Sequence, residues 1–265
     1  MALRSMTSPI FRLATINVHG FQNARFQNNL NELISILKPL NLDLLAVEEV
    51  DKTNGWQKFC QELGLNYFQF ETSYNRYCGN GLASKYSIQS TSSQQANVSC
   101  SGGQRSILQC RFNDEHPFLR NHLFAVTHLD HLNEDHRLKQ IKQFRPNDKQ
   151  IDVLLGDFNA LTRDDYSDKY YQNIVEGKRR QSGWELPRFD LTDLLTNTWK
   201  YEDVFRIANP ELKDEDVVTC EYGTRIDYIY IQRKVLQKWN LTKCEIIDTK
   251  GATDHNAVLA EFQLK

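Results

Sequence analysis

The stretch "DVLLGDFNAL", residues 152–161, begins as an apolar β-type run and then changes character at Gly156. Asp157 and Asn159 follow, with Phe158 between them. A capped turn would explain this composition, because Gly, Asp and Asn are common turn residues. The alternative is a reactive site where a buried strand ends. The two-residue period of a strand would then put Asp157 and Asn159 on one side, Phe158 on the other, and leave the backbone at Gly156 open to a bound group.

Other short β-type runs in the chain also end or begin in polar residues. Three of these runs end in polar residues: "RLATI" before Asn17, "LDLLAV" before Glu48 and Glu49, and "HLFAV" before Thr127 and His128. A fourth run, "TDHNAVLAEF", has Asp254 and His255 as its second and third residues. In α/β proteins, strand ends and the loops after them carry function, while strand interiors carry packing. We therefore expect these clusters to converge at one edge of the fold.

The stretch "RIDYIYIQ", residues 225–232, alternates as a strand does and places a carboxylate on an apolar face. The alternation puts Asp227 on one face, and Ile226 on the other together with two tyrosines. A buried Asp requires a partner, because desolvating an unpaired charge costs several kcal/mol. His255 is one candidate partner, in the manner of catalytic Asp–His pairs, and Arg225 is another, in a purely structural pair.

The chain is interpreted as one domain of alternating strands and helices. Three stretches have helical spacing or a helix-start signal: "NNLNELISILKPL" (28–40), "GWQKFCQEL" (55–63) and "NEDHRLKQIKQF" (133–144), the last with Asn133 as N-cap. A length of 265 residues with 40% hydrophobic and 25% charged residues suits an undivided α/β domain. No linker or repeat interrupts residues 10–265, and residues 1–9 are expected to be a flexible N-terminus or to derive from an expression vector.

Charge, cysteines and hydropathy exclude some classes of protein. A net charge of −2 rules out a globally basic surface, so a nucleic-acid partner would have to meet a local patch or a bound cation. Six cysteines without zinc-ligand spacing indicate reduced thiols. No apolar run approaches about 18 residues, so a membrane span is not expected. A cytoplasmic or nuclear protein is the default, although the acid-poor N-terminus also fits a weak organellar presequence.

The polar clusters together contain carboxylates, amides and imidazoles. Carboxylate and amide oxygens suit Mg²⁺ or Mn²⁺, which bind through one or two carboxylates, water and a substrate phosphate. This set of side chains therefore indicates chemistry on a phosphoester.

Six blocks of the chain carry a family resemblance. They are "TINVHG", "LLAVEEVD", "FAVTHLDH", "VLLGDFNAL", "RIDYIYI" and "ATDHNAVLAEF". In this order and approximate spacing, from residue 13 to 262, the chain resembles the endonuclease/exonuclease/phosphatase superfamily, which includes DNase I, deadenylases and tyrosyl-DNA phosphodiesterase 2. The resemblance implies an α/β, DNase I-like fold in which two mixed β-sheets pack as a sandwich flanked by helices.

The resemblance implies a metal site. Asn17, Glu49 and Asp254 match the family's metal-site residues, with Glu49 as the acidic ligand and Mg²⁺ or Mn²⁺ as the cofactor. Glu48 departs from the family pattern, because most members have Gln at this position, and either glutamate could be the ligand.

The resemblance also implies catalytic roles. Asp157 and Asn159 match the pair that aligns the attacking water and the phosphate. His255 matches the essential histidine and Asp227 its orienting carboxylate. His128 matches the histidine of the DNase I, deadenylase and sphingomyelinase branches. Together these residues would support in-line attack of water on phosphorus.

Basic and aromatic residues are candidates for substrate binding. Arg105 in "GGQRSIL" would contact a phosphate, or else be a solvated turn residue. The stretch "GKRRQ", residues 177–181, would contact a nucleic-acid strand, or else be a solvated helix face. Its candidates are Lys178, Arg179 and Arg180, with Tyr170, Tyr171 and Trp184 as stacking residues.

The substrate remains open at this level. A nuclease or nucleic-acid-end phosphodiesterase acting on DNA or RNA, as a monomer, is the preferred hypothesis. Alternatives within the superfamily act on inositol phosphates or sphingomyelin. A zinc hydrolase of the metallo-β-lactamase type is weaker, because "VTHLDH" (126–131) has Val126 in place of the first histidine ligand. A catalytically silent binding module is the last alternative.

Overall fold

The structure, a computed structural model, describes residues 9–51, 54–74, 78–98, 104–113 and 115–265. Residues 1–8, which were expected to be a flexible or vector-derived N-terminus, lie outside the described residues, and so does Cys100. The strands are β1 (Ile10–Asn17), β2 (Leu44–Asp51), β3 (Tyr67–Tyr74), β4 (Cys78–Ser84), β5 (Ile88–Gln95), β6 (Ser106–Phe112), β7 (Phe124–His128), β8 (Val153–Asp157), β9 (Tyr201–Asp203), β10 (Asp227–Gln232), β11 (Trp239–Ile247) and β12 (Ala257–Leu264). The α-helices are α1 (Leu30–Leu37), α2 (Asn54–Glu62), α3 (Glu134–Phe144), α4 (Asp168–Tyr170), α5 (Gly177–Ser182), α6 (Asp190–Asp193), α7 (Val204–Ala208) and α8 (Arg233–Lys238), with π-helical turns at Tyr171–Glu176 and Leu194–Thr198.

The described strands form two mixed sheets of six strands each. The first has the order β11-β12-β1-β2-β4-β3 and the second the order β5-β6-β7-β8-β10-β9. Each sheet has one parallel pair, β1 with β2 and β7 with β8, and its other neighbours are antiparallel. The predicted fold class, two packed mixed sheets flanked by helices, is confirmed.

Alternation along the strands builds a layered core. One face of each sheet contributes to a shared core between the sheets, as Leu13 in β1 and Leu155 in β8 do. The opposite faces pack against helices, because Ile16 lies with residues of α1 and α2, and Leu154 lies with residues of α3 and α6. The sheets therefore stack face to face, and their strand ends can meet at a shared edge.

The predicted helices are present. In α1 the apolar stripe Leu30, Leu33, Ile34 and Leu37 is buried, and the Asn133 side chain accepts a hydrogen bond from the His136 N–H at the start of α3. The described residues contain no helix with the length and apolar character needed to cross a membrane.

Two details of the strand predictions are wrong. Ile226 lies in the core between the sheets, with Ile229 and Ile231, because β10 begins only at Asp227 and the alternation does not extend to the residue before it. The backbone of Gly156 is closed rather than open, because a Cβ at this position would overlap the carbonyl oxygen of Thr127 in the neighbouring strand β7. Glycine is required there for the approach of two strands.

Candidate active site

Strand register brings the predicted catalytic residues into one row. His128 in β7 is paired with Asp157 in β8, and Asp157 is paired with Asp227 in β10. Side chains opposite one another on neighbouring strands are about 5 Å apart. Asn17 ends β1 in the other sheet, and its amide donates a hydrogen bond of 3.1 Å to Oδ2 of Asp157. The two sheets are thus joined by a polar contact at the edge that carries the row.

A bulge in β2 separates the two neighbouring glutamates. The register between β2 and β4 shifts between Val47 and Val50, and Glu49 has a positive φ of 53°. Bulges re-aim side chains. Glu48 is accordingly buried, accepts a hydrogen bond from the Thr15 hydroxyl, and has a pKa raised well above its ordinary value by burial and by Asp227. Glu49 faces the cavity of the site and is therefore the better candidate ligand.

Asp157 and Asn159 are adjacent because of a turn and not because of strand periodicity. β8 ends at Asp157, Asn159 has a φ of 51°, and its N–H donates a 2.9 Å hydrogen bond to Oδ1 of Asp157. Burial, and then the charge of Asp227, raises the pKa of Asp157 to about 7, although hydrogen bonds from Asn17 and Asn159 oppose the shift. Asp157 is therefore able to exchange a proton near neutral pH.

Asp227 lies against His255. Its Oδ2 is 2.9 Å from Nδ1 of His255, and the other ring nitrogen is 3.8 Å from Oδ2 of Asp157. Burial by itself lowers the pKa of His255, but the charge and hydrogen bond of Asp227 raise it well above its ordinary value. Arg225, the alternative partner, instead forms buried ion pairs with Asp165 and Asp203.

His128 is held as a neutral ring. Nη1 of Arg105 lies 3.1 Å from its Nδ1, and because a guanidinium only donates, this nitrogen accepts. The other ring nitrogen, Nε2, is 3.4 Å from Oδ2 of Asp157 and 3.0 Å from the amide nitrogen of Asn159. Burial, and then Arg105, lowers the pKa of His128 well below its ordinary value. Arg105 is buried and contacts His131 as well, so it is not a solvated turn residue.

Glu49 and Asp254 face the same cavity and offer carboxylate oxygens, the donor type that a hard divalent cation takes. Within the part of the chain that the structure describes, their ion-pair partners are histidines and not lysine or arginine. Nδ1 of His19 lies 3.3 Å from Asp254 and 3.8 Å from Glu49. Burial tends to raise the pKa of Asp254, but the hydrogen bond from His19 lowers it to about 2, so this carboxylate stays ionised. Asn17 is adjacent, but its Oδ1 already accepts a hydrogen bond from the N–H of His19.

A second group of acidic and imidazole side chains has metal-like spacing. Ligand atoms of Asp157, Asp227 and His255 lie within 4.8 Å of one another, and all three residues are buried. However, one oxygen of Asp227 is engaged by His255. Glu49 and Asp254 lie outside this group; their carboxylates are more exposed and line the cavity beside it.

The site opens into a cavity of about 770 Å³. Some of the predicted substrate-binding residues line this cavity and others do not. Lys178 and Arg179 of α5 line it, together with Arg105 and Trp184. Arg180 does not: it is exposed and pairs with Glu176. The predicted stacking residues separate as well. Tyr170 donates a hydrogen bond to Gly223 O, and Tyr171 packs under the guanidinium of Arg163, so neither lines this cavity.

Several cavity residues were not predicted. His19, His131 and Tyr222 line the site. His19 could have been suspected, because it follows Asn17 by two residues in the matched block. Tyr222 is presented by a short hairpin whose isolated bridge pairs Cys220 with Thr224, and no periodic pattern marks such a turn.

The described cysteines agree with the expectation of reduced thiols. Cys60, Cys78, Cys110, Cys220 and Cys244 are free, and four of them are buried.

Solved structures with the same fold are numerous but distant in sequence. An endonuclease/exonuclease/phosphatase from Beutenbergia cavernae DSM 12333 has a TM-score of 0.72 at 15% identity, covering 96% of this chain and 72% of its own. The catalytic domain of human Nocturnin with a bound sulfate anion gives 0.68 at 15% identity, covering 97% and 94%. ANGEL2, described as a 2′,3′-cyclic phosphatase, gives 0.66 at 14% identity, covering 97% and 96%.

Sequence comparisons give a family but no individual relative. A search of curated protein sequences finds no match. A family model, that of the endonuclease/exonuclease/phosphatase family, matches residues 14–242. This match covers most of the chain and agrees with the two-sheet fold. The chain therefore belongs to the endonuclease/exonuclease/phosphatase family.

Proposed function

We propose that the protein is a divalent-metal-dependent phosphodiesterase that hydrolyses nucleic acids or nucleic-acid ends. Members of its family are hydrolases acting on phosphoester bonds. The observation that carries the proposal is the convergence of four side chains on the wall of one cavity, namely Asp157, His255, Glu49 and Asp254. Asp227 does not line the cavity but holds His255 through Nδ1.

Asp157 is the proposed base for the attacking water. It lies at the floor of the cavity, and a pKa of about 7 suits a group that must accept a proton near neutral pH. The hydrogen bond from the N–H of Asn159 fixes one of its oxygens. The other oxygen faces both histidines, at 3.4 Å from His128 and 3.8 Å from His255.

Glu49 and Asp254 would hold Mg²⁺ or Mn²⁺. Asn17 would position the groups around the cation through its hydrogen bonds with Asp157 and His19. The cation supplies neutralisation of charge that develops on the phosphate and the leaving oxygen. Asp254 is ionised and Glu49 is aimed at the cavity by the bulge, so two carboxylates line the space that a hard ion would take.

His255 and His128 have different protonation states and therefore different proposed roles. His255, protonated and held through Nδ1 by Asp227, can donate from Nε2 to a phosphate oxygen or a leaving group. His128 is neutral and accepts a hydrogen bond from Arg105 at Nδ1, and Arg105 contributes fixed positive charge. Such preorganised donors stabilise charge without reorganisation during the reaction.

The residues that line the cavity support a nucleic acid as the substrate. Lys178, Arg179 and Arg105 bring positive charge to a cavity that also contains aromatic side chains. Backbone phosphates and base faces require this combination. Fold neighbours include a 2′,3′-cyclic phosphatase and a tyrosyl-DNA phosphodiesterase 2 variant from D. rerio, and both names refer to phosphoester substrates of those proteins.

A panel assay tests the proposal. Purified protein in Mg²⁺, Mn²⁺, Zn²⁺ or EDTA would be given single- and double-stranded DNA, RNA, a 5′-tyrosyl oligonucleotide, sphingomyelin and an inositol phosphate. We expect cleavage of a nucleic acid with Mg²⁺ or Mn²⁺ only. His255→Ala should abolish it, and His136→Asn, which changes a histidine outside the cavity, should retain it. Turnover of lipid or inositol phosphate alone would contradict the nucleic-acid assignment, and turnover with zinc alone would contradict the metal assignment.

A further inference from the structure

Two exposed aromatic rings stand on the wall of the catalytic cavity. Trp184 is 41% exposed and Tyr222 is 45% exposed, although both are large rings that globular proteins tend to bury. Their ring centroids are 5.0 Å apart and their planes make an angle of 89°. Both side chains line the cavity that contains Asp157 and His255. The pair thus forms an open corner beside the proposed reaction centre, and the proposed chemistry assigns it no part.

The backbone holds this corner in place. Trp184 follows Gly183, which ends α5 in a left-handed conformation with φ 67°, and the N–H of Trp184 donates to Arg179 O at 2.9 Å. The Lys178 ammonium donates to Tyr222 O at 3.1 Å, so α5 is tied to the hairpin that carries the second ring.

The hairpin is also tied to the reaction centre. The N–H of Glu221 donates to Asp254 O at 2.9 Å, one residue from Tyr222. The Tyr170 hydroxyl donates to Gly223 O on the other side. The backbone segments that carry both rings are therefore tied to the segment that contains Asp254.

The charge around the corner favours an anionic ligand with a planar group. Lys178 and Arg179 line the cavity on the same side of the fold as Trp184. Glu185 lines it too, but its carboxylate is already paired with Arg137 and Arg188. An inositol phosphate would use the cations but has no planar ring to stack. A lipid chain would use apolar surface but not the cations. A nucleotide uses both, because its phosphate is anionic and its base has a π-face.

We propose that Trp184 and Tyr222 bind an unstacked nucleobase next to the scissile phosphate, so that the enzyme acts on single strands or frayed ends. This inference rests on the proposed phosphodiesterase function. One of the two perpendicular rings can stack on the face of a base, and the edge of the other ring then lies beside that base. The face is free for stacking only when the base has separated from the adjacent base of its strand. The interior of a duplex does not offer such a base.

The test compares substrates with and without bases. Short single strands, dT5 and rA5, would be compared with a pentamer of abasic sugar phosphates and with the same sequences in duplex form. Removal of one stacking aromatic side chain costs about 5- to 100-fold in affinity per base. We expect wild-type kcat/KM to be at least about 5-fold higher for the base-bearing strand than for the abasic one. That ratio should fall towards 1 in Trp184→Ala and Tyr222→Ala.

Two further variants keep the result interpretable. Trp184→Phe retains a stacking face and should retain most of the ratio. Tyr67→Ala removes a ring that is also 45% exposed but lies outside the cavity, and it should leave the ratio unchanged. A ratio that falls equally in Tyr67→Ala would overturn the assignment.

A binding measurement in EDTA separates this inference from the proposed function. Quenching of tryptophan fluorescence by dT5 or rA5, lost in Trp184→Phe, reports the base site without catalysis. Hydrolysis with equal rates on base-bearing and abasic strands would keep the function and overturn the base site. Quenching without hydrolysis of any nucleic acid would keep the base site and overturn the function, and absence of both would overturn both.

Discussion

Asp227 acts on the proposed reaction through His255, which makes it a positioning residue. Its Oδ2 lies 2.9 Å from Nδ1 of the imidazole and holds the ring in one orientation and in its protonated form. Asp227→Asn keeps the shape but cannot stabilise the imidazolium. We expect kcat to fall by about 10² or more, measured on whichever phosphodiester the panel assay identifies.

The control for this change is a surface carboxylate. Asp190→Asn removes a partner of Arg188 outside the cavity and should leave kcat unaltered. If Asp227→Asn folded with an unchanged near-UV spectrum and retained kcat within 3-fold or so, the positioning role would be wrong.

His116 should make stability depend on pH. Its Nδ1 accepts the N–H of Phe118, and burial lowers its pKa below the ordinary 6.5 although Asp43 opposes the shift. Below about pH 6.5 the unfolded chain binds a proton that the folded protein does not, so the free energy of unfolding decreases as the pH falls. We expect this decrease between pH 7 and pH 5 to be smaller in His116→Phe, measured by urea unfolding.

The comparison isolates one histidine among several. Other groups titrate equally in wild type and variant and cancel in the difference. Two parallel curves of unfolding free energy against pH would contradict the assignment, whatever the constant offset from the lost acceptor for Phe118 N–H.

The contact between β7 and β8 depends on Gly156. A Cβ there would overlap the carbonyl oxygen of Thr127, and the φ of 138° is outside the range of most other residues. We expect Gly156→Ala to reduce the free energy of unfolding by about 3 kcal/mol or more, measured by denaturant titration. Gly64→Ala is the matched control: it also changes a positive-φ glycine, but nothing lies within 4 Å of its Cβ, and it should cost about 1 kcal/mol. Equal costs would show that backbone conformation, and not the strand contact, requires glycine.

Elements with strong periodicity could be predicted from the sequence, and contacts made by irregular backbone could not. The stripe of α1 and the cap of α3 follow from local patterns. The alternation of β10 does as well, because its tyrosines and its isoleucines lie in different core clusters. Tyr222 was missed because its position depends on a hairpin pairing between Cys220 and Thr224, which no local pattern marks. The sequence did not decide whether Glu48 or Glu49 faces the cavity, because the direction of each side chain depends on a bulge of β2 against β4. Long-range register decides these positions.

Binding of a cation should stabilise the folded protein as a unit. Glu49 and Asp254 are about 200 residues apart in the chain and line one cavity only in the folded state, so a cation held there as proposed would bind the native state selectively. At 100 times the dissociation constant, such binding contributes about 2.7 kcal/mol and raises the Tm. We expect this rise in the wild type and its loss on EDTA addition, in Glu49→Gln and in Asp254→Asn, measured by calorimetry.

The control replaces an acidic residue of the helical layer. Glu62→Gln removes an exposed partner of Lys38 and should keep the metal-dependent rise in Tm. A rise of the same size in Glu49→Gln would place the cation elsewhere.

The order of the strands has a consequence for synthesis on the ribosome. β1 lies between β2 and β12 in the first sheet, while the second sheet is built from β5 to β10, which lie between β4 and β11 in the chain. Until the last strand emerges, one side of β1 keeps its backbone donors and acceptors unpaired, in the way that makes nascent edge strands prone to aggregate. Asp254 and His255 arrive on the same final segment. The nascent chain therefore closes the open side of β1 and brings in the last residues of the candidate active site in the same step.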